Sequence, residues 1–149
     1  MTDDLEGSAR RLRFRLAYAD TDPAGLVYYA AWFSWMERLQ TEWFRSVGLP
    51  QDELLEAHGF GTVVAHASCD YLLATRLHDE IEIGVRLAES SARSFVTEHR
   101  IVRCTDGALV ARGRIVLATV DRDGRSVPVP AVVTDRLRDP GAAVQGADG

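Results

Sequence analysis

The sequence predicts an α+β fold in which a curved five-stranded antiparallel sheet wraps around one long apolar helix. Three observations predict it. A single segment has helical periodicity and is apolar on several sides, which calls for a surround of protein. Four other segments alternate apolar and polar residues with a period of two, and a fifth is β-rich though less regular. The order is one strand, the helix, then four strands, and packing such a sheet against the helix buries both apolar surfaces.

The first strand is expected over Arg11 to Ala19, where Leu12, Phe14, Leu16 and Tyr18 alternate with Arg11, Arg13, Arg15 and Ala17. Asp20 to Tyr28 is rich in turn formers, including Pro23 and Gly25. Tyr29 to Val47 is expected to be the helix. Its stripe is Trp32, Met36, Leu39, Trp43 and Val47, widened by Phe33, Trp35 and Phe44. Gly48 and Pro50 end it. A short second helix is expected near Gln51 to His58, before Gly59 and Gly61.

The remaining strands follow. Val63, Ala65, Ala67, Cys69 and Tyr71 alternate with Thr62, His66, Ser68 and Asp70. Ile81, Ile83, Val85 and Leu87 alternate with Glu80, Glu82, Gly84 and Arg86. Phe95 to Cys104 is β-rich but less regular, and Leu109 to Val120 alternates again, with Ile115 and Leu117 on the apolar face. Turns are expected at Leu77-His78-Asp79, Ser90-Ser91-Ala92 and Thr105-Asp106-Gly107. Val127-Pro128-Val129-Pro130 resists a central strand and is expected to close the domain as an edge or extended arm. The domain is thus placed at residues 10–139, with a disordered lead-in at 1–9 and a flexible tail at 140–149.

Composition bounds the function. The chain has 149 residues, 46% of them apolar and 26% charged, as expected of one globular domain with a real core. A net charge of −5 gives no global basic field for nucleic acid. No apolar run approaches the roughly 18 residues of a membrane span. Met1 to Arg11 is polar and lacks the basic start and apolar stretch of a secretory signal. Cys69 and Cys104 are far apart and form no close pair. A reducing, cytoplasmic location is therefore expected. The four histidines, His58, His66, His78 and His99, show no metal-ligand spacing, so no metal is expected.

The chemistry concentrates at Ala19-Asp20-Thr21-Asp22-Pro23-Ala24-Gly25-Leu26-Val27-Tyr28-Tyr29. Two carboxylates precede the start of a buried helix, whose free N–H groups can bind developing negative charge. A carboxylate there can activate water or attack a carbonyl itself. Gly25 allows close approach of backbone and ligand. Equally, Asp before a helix is commonly a cap, and Asp-Pro an ordinary turn. Spacing alone leaves both open. No Ser sits in a G-x-S-x-G elbow. Both cysteines fall in strand patterns that suit packing.

The segment DTDPAGLVYY and the aromatic-rich helix ending in WMERLQTEWFRSVGLP resemble the signature of the 4-hydroxybenzoyl-CoA thioesterase family, within the hotdog-fold superfamily. Weaker resemblance continues through GTVVAHASCDYLLATRLHDEIEI and RSFVTEHRIVR, covering roughly residues 11–121. The resemblance implies hydrolysis of an acyl-CoA, of aromatic or hydroxybenzoyl type, to free acid and CoA, with CoA as part of the substrate and no cofactor. It implies that Asp22 is catalytic, as general base or nucleophile, and that the Tyr29 N–H polarises the thioester carbonyl. Asp20 is then a turn or supporting residue. Gly25, Tyr28, Glu37, Arg93 and Ser94 are implied on the substrate, Glu37 near the acyl ring and Arg93 toward CoA phosphate. For Glu37 an ion pair with Arg38 or Arg93 is an equal alternative, and Arg93 can also be a plain turn residue. The sequence departs from the family pattern it resembles in carrying Tyr29 where short-chain enzymes have His, and in keeping only Arg93 of a basic cluster. A carrier-protein thioester as substrate, or non-catalytic acyl-CoA binding, therefore stays open. The resemblance also implies a homodimer or homotetramer with sites at the subunit boundary.

Overall fold

The computed structural model describes residues 4–138. The elements are β1 (Arg10–Arg15), α1 (Ala31–Ser46), α2 (Leu54–His58), β2 (Gly61–Tyr71), β3 (Glu80–Ser90), β4 (Ser94–Arg103), β5 (Leu109–Val120) and α3 (Ala131–Arg138). The five strands form one antiparallel sheet in the order β1-β3-β4-β5-β2. This is the α+β arrangement expected, with α1 packed against one face. The tail expected at 140–149 lies outside the described residues, as do residues 1–3.

The strand registers follow from the alternation. Leu12 and Phe14 of β1 lie opposite Ile83 and Ile81 of β3. The intervening arginines point to the outer face, where Arg11 pairs with Glu82 and Arg13 with Glu80. On β4, Phe95, Thr97, His99 and Ile101 share the helix-facing side and are fully buried. β2 alternates less cleanly than its sequence suggests. A bulge between Val64 and His66 shifts its register against β5, so one period of two does not run the whole strand.

Helix α1 begins two residues later than the periodicity indicates, because Tyr29 and Ala30 belong to the turn before it. Its buried face is Trp32, Trp35, Met36, Leu39, Trp43 and Phe44. Trp35 meets Phe14 edge-on at 5.0 Å, and Phe44 lies 6.2 Å from Phe95. Gly113 on β5 makes room for the helix, since a Cβ there would overlap the Met36 sulfur. Past the helix end, the Arg136 guanidinium donates to the carbonyls of Val47 and Gly48 at 3.2 and 3.0 Å, which suits a helix C-terminus.

Three further segments differ from expectation. The first strand stops at Arg15, and Tyr18, expected on its apolar face, is exposed in a 3-10 turn. Residues 4–8 form a turn that seats Leu5 in the interior, and Ala9 N–H donates to Val85 at 2.8 Å. After the extended arm at 127–130, the chain forms α3, which buries Val133 and Leu137. No described helix is long and apolar enough to cross a membrane.

The core also holds polar groups. Thr97 donates its hydroxyl hydrogen to Gln40 Oε1 at 2.6 Å. Gln40 Nε2, Trp43 Nε1 and both ring nitrogens of His99 have no hydrogen-bond partner among the described residues. Burial pushes the His99 imidazole down to about 4, against a small opposing effect of Glu98. On the outer face, burial pushes the Glu98 carboxyl up, but hydrogen bonds and charge from Arg100 and Arg86 outweigh it and hold it below the usual range.

A histidine kept neutral in the fold binds its proton more readily once unfolded. Its stabilising contribution is complete above the unfolded value near 6.5 and is lost as pH falls toward 4. Denaturant unfolding should therefore lose about 2 kcal/mol between pH 7 and pH 5, and His99→Leu should remove most of that slope. Gly113→Ala should destabilise by about 1–3 kcal/mol through overpacking against Met36, read in the same unfolding assay.

Candidate active site

The candidate site is built on the connection between β1 and α1. A 3-10 turn at Tyr18–Asp20 opens it. Asp20 Oδ2 accepts the Ala17 N–H at 2.8 Å, and the Asp20 carbonyl accepts the Tyr28 N–H at 2.9 Å. Asp20 is thus the turn residue expected. Thr21 and Val27 then bridge in antiparallel fashion, so residues 22–26 form a closed loop. Asp22 N–H donates to Leu26 at 2.8 Å and Gly25 N–H to Asp22 at 2.9 Å. Gly25 takes φ +76°, which costs a residue with a Cβ about 1–2 kcal/mol.

The Asp22 carboxylate belongs to this loop rather than to the helix. Its Oδ1 accepts the N–H groups of Ala24 at 2.8 Å and Leu26 at 3.3 Å. Oδ2 has no hydrogen bond among the described residues. The helix cap position is Ala30, which offers no side-chain cap. The N-cap interpretation of Asp22 therefore fails on geometry, while the Asp-turn interpretation holds. Two backbone donors fix one oxygen and orient the other.

The far leg of the loop is tied to the chain that follows β2. Leu26 bridges Arg76, and Val27 N–H donates to Thr75 at 3.3 Å. Beside this leg lies an open cavity of about 240 Å³, walled by Leu26, Val27, Tyr29, Trp32, Tyr71, Leu73 and Thr75 among others. Tyr29 stands between loop and helix. Among the described residues no acceptor takes its N–H, while its carbonyl accepts the Tyr71 hydroxyl at 2.7 Å. Its ring lies 4.8 Å from Tyr28, and interaction with the Tyr29 phenol raises the Tyr28 phenol above its ordinary value.

The loop holds Asp22 and Gly25, and Tyr28 and Tyr29 follow it in the chain; of the four only Tyr29 lines the cavity. The loop does not bring the other expected residues to them. Glu37 is exposed and lines a separate groove of about 680 Å³ between β1 and α1, with Arg10, Arg11 and Arg38 nearby. Its carboxylate accepts the Thr41 hydroxyl at 3.2 Å. Arg93 and Ser94 sit at the opposite end of the sheet. β3 starts beside the loop and runs 11 residues to Ser90, a span of roughly 35 Å at ~3.3 Å per residue. There Arg93 donates to the Ser126 carbonyl at 2.9 Å.

Three wall residues carried little warning in the sequence. Trp32 was visible only as core, and Tyr71 only as the end of an alternating strand. Thr75 gave no signal, yet it is 2% exposed and its hydroxyl has no hydrogen-bond partner among the described residues. A hydrogen bond left unmade in this way costs about 1–3 kcal/mol. Burial pushes the Cys69 thiol up to about 11, which suits a packing residue and not a nucleophile. No cluster of His, Cys, Asp or Glu able to hold a metal ion occurs among the described residues.

Residues 16–137 match the thioesterase-like superfamily. The chain belongs to that superfamily. Acyl-CoA thioesterase YbgC of Haemophilus influenzae is 31% identical over 115 residues, covering 77% of this chain and 82% of that protein. Among solved structures, a Thermus thermophilus thioesterase complexed with coenzyme A and Zn is 33% identical with a TM-score of 0.74, covering 89% of this chain and 95% of that one. An aspartate-to-asparagine mutant of 4-hydroxybenzoyl-CoA thioesterase, complexed with 4-hydroxybenzoyl-CoA, is 25% identical with a TM-score of 0.76, covering 86% and 97%. The sheet order and the long helix match the hotdog topology of these thioesterases, and the chain is a thioester hydrolase of the acyl-CoA thioesterase kind.

Proposed function

We propose that this thioesterase hydrolyses a compact acyl-CoA, aromatic and of hydroxybenzoyl type, in the cavity beside Tyr29. The observation that carries this is the open Tyr29 N–H at the rim of an apolar cavity, next to the loop that orients Asp22. An apolar cavity of about 150 Å³ accepts one benzene ring. About 240 Å³ therefore suits a single-ring acyl group better than a long chain.

In this mechanism the Tyr29 N–H donates to the thioester oxygen as the carbonyl becomes tetrahedral, assisted by the positive end of α1. Asp22 takes a proton from water as the water oxygen bonds to the carbonyl carbon. Collapse of the adduct breaks the C–S bond and releases CoA thiolate. Attack by Asp22 itself, through an anhydride that water then cleaves, uses the same groups. Gly25 and Tyr28 border the entering thioester.

The site is completed by a second copy of the chain. β2 is an 11-residue edge strand, and its Val63 and Val64 are exposed. Such an edge favours pairing with another copy. A neighbouring protomer can then supply the Arg93, Ser94 and Glu37 contacts that one protomer holds apart, within a cytoplasmic homodimer or homotetramer. The arginine shortfall around Arg93 also keeps a carrier-protein thioester as the second reading, with acyl-CoA binding without hydrolysis as the third.

Thiol release should be measured across benzoyl-, phenylacetyl-, short aliphatic and long fatty acyl-CoAs. Asp22→Asn should lower turnover by about 10²-fold or more with unchanged folding by circular dichroism. Wild-type-like turnover in that variant removes Asp22 from the mechanism, and tight binding without thiol release favours the non-catalytic reading. Sedimentation at micromolar concentration should give a dimer or tetramer, and a monomer alone would overturn the shared site.

A further inference from the structure

We propose that Tyr71 is a positioning residue for the reaction: its hydroxyl holds the Tyr29 carbonyl and thereby keeps the Tyr29 N–H aimed at the thioester oxygen. The inference rests on the Tyr29 N–H acting as the donor proposed above, and adds the group that holds that donor in place.

Helix α1 starts without a capping side chain, since Ala30 occupies the cap position. The chain enters it through the turn Tyr28-Tyr29-Ala30-Ala31, closed by the Ala31 N–H, which donates to the Tyr28 carbonyl at 2.9 Å. That bond fixes the peptide that carries the Tyr29 N–H. The next peptide, between Tyr29 and Ala30, is the central one of the turn, and a flip of it separates turn types I and II. Ala30, at φ −79° and ψ −16°, has the type I conformation. The Phe33 N–H turns to the Ala30 carbonyl at 3.2 Å, so no backbone donor among the described residues takes the Tyr29 carbonyl. The Tyr71 hydroxyl does, at 2.7 Å and across 42 residues of chain. Tyr29 is thus held on both sides of its Cα, although it stands at a corner and is 64% exposed.

Tyr71 is a firm anchor for this bond. It ends β2, opposite Ala111 of β5. The next two N–H groups, of Leu72 and Leu73, both donate to the Val110 carbonyl, at 2.9 and 3.1 Å. Its ring lies 6.2 Å from that of Trp32, which is buried on α1. Sheet and core therefore fix the backbone and the ring, and the hydroxyl carries that rigidity to the start of the helix. Burial raises the Tyr71 phenol above its ordinary value, so it keeps the proton it donates. A donor prepared for developing charge must already be in place when the carbonyl becomes tetrahedral. Loss of the hydroxyl leaves the donor present but lets the turn that carries it move, which weakens the transition state more than the bound substrate.

The test assays full-length wild type, Tyr71→Phe and Tyr71→Leu with the acyl-CoAs named above. Tyr71→Phe keeps the ring and the cavity wall. Its kcat should fall about three- to tenfold while KM stays within about twofold. Tyr71→Leu removes the ring as well and should also raise KM. A second readout needs no turnover. In Asp22→Asn labelled with [15N]tyrosine, the Tyr29 amide signal is assigned by its loss in Tyr29→Phe. The acyl-CoA that calorimetry shows to bind most tightly should shift this signal downfield, and adding Tyr71→Phe should weaken the shift. An unchanged kcat in Tyr71→Phe, a loss carried by KM alone, or an undiminished amide shift overturns the proposal. A Tyr29 amide that ignores the bound thioester in Asp22→Asn removes Tyr29 as the donor, and the role of Tyr71 with it. If no thioester releases thiol, the hydrolytic reading falls, and an amide shift that still weakens in Tyr71→Phe supports the positioning contact by itself.

Discussion

Burial of α1 against the sheet is the constraint on which the rest of the structure depends. All three tryptophans of the chain lie on this one helix, and each is buried. Aromatic side chains of this size bury on the order of 150–250 Å² each and dominate the energetics of a core. The sheet accommodates them by local concessions. Gly113 withholds a side chain beneath Met36, and Phe95 and Phe14 present rings to Phe44 and Trp35. Fixing the helix axis fixes its N-terminus, and with it the place where Tyr29 leaves the turn. The cavity beside Tyr29 inherits one wall, Trp32, directly from this packing.

Charge works differently on the opposite face. Arg11, Arg13 and Arg15 of β1 meet Glu80 and Glu82 of β3, Arg86 and Arg100 flank Glu98, and Arg114 meets Glu89. Exposed pairs of this kind contribute about 0–1 kcal/mol each, so they do little to hold the sheet together. Their consequence is selective. A face carrying paired charges on every strand is expensive to bury against another protein. The exposed apolar residues lie elsewhere, at Val63 and Val64 on β2 and at Tyr71, Leu72 and Leu73 beyond it. Association by the β2 edge is favoured by what the outer face disfavours.

Much of this was legible in the residues. Strict alternation marked β1, β3 and β5, because each has one face in the core and one in solvent. The helix was legible because four turns of large apolar residues have no other economical arrangement. α3 was hidden behind Pro128 and Pro130, which mark an extended arm; only Val133 and Leu137 anchor the helix that follows. The lead-in hid Leu5 because a single apolar residue among charges carries no period. At the site, Asp22, Gly25 and Tyr29 were legible as a contiguous motif. Glu37 and Arg93 were not, since their distance from Asp22 depends on strand length and on which groove the helix face meets. Thr75 was invisible for a deeper reason. A hydroxyl left without a partner is a property of its packed surroundings, and no pattern of residue types records it.

The loop also explains how one chain can carry a carboxylate and an N–H donor without the two neutralising each other. Asp22 could have capped α1, taking the helix N–H groups for itself. It does not, because Thr21 and Val27 bridge, closing residues 22–26 into a unit that supplies its own donors at Ala24 and Leu26. The bond from Tyr28 N–H to the Asp20 carbonyl then sets the register of the next residue. Tyr29 N–H is left for an acceptor outside the chain. The Asp22 carboxylate and the open Tyr29 N–H thus belong to opposite sides of one short bridge, held apart by backbone geometry. The mechanism proposed above needs that separation, since a carbonyl must meet a donor on one side and a base on the other before water can add to it.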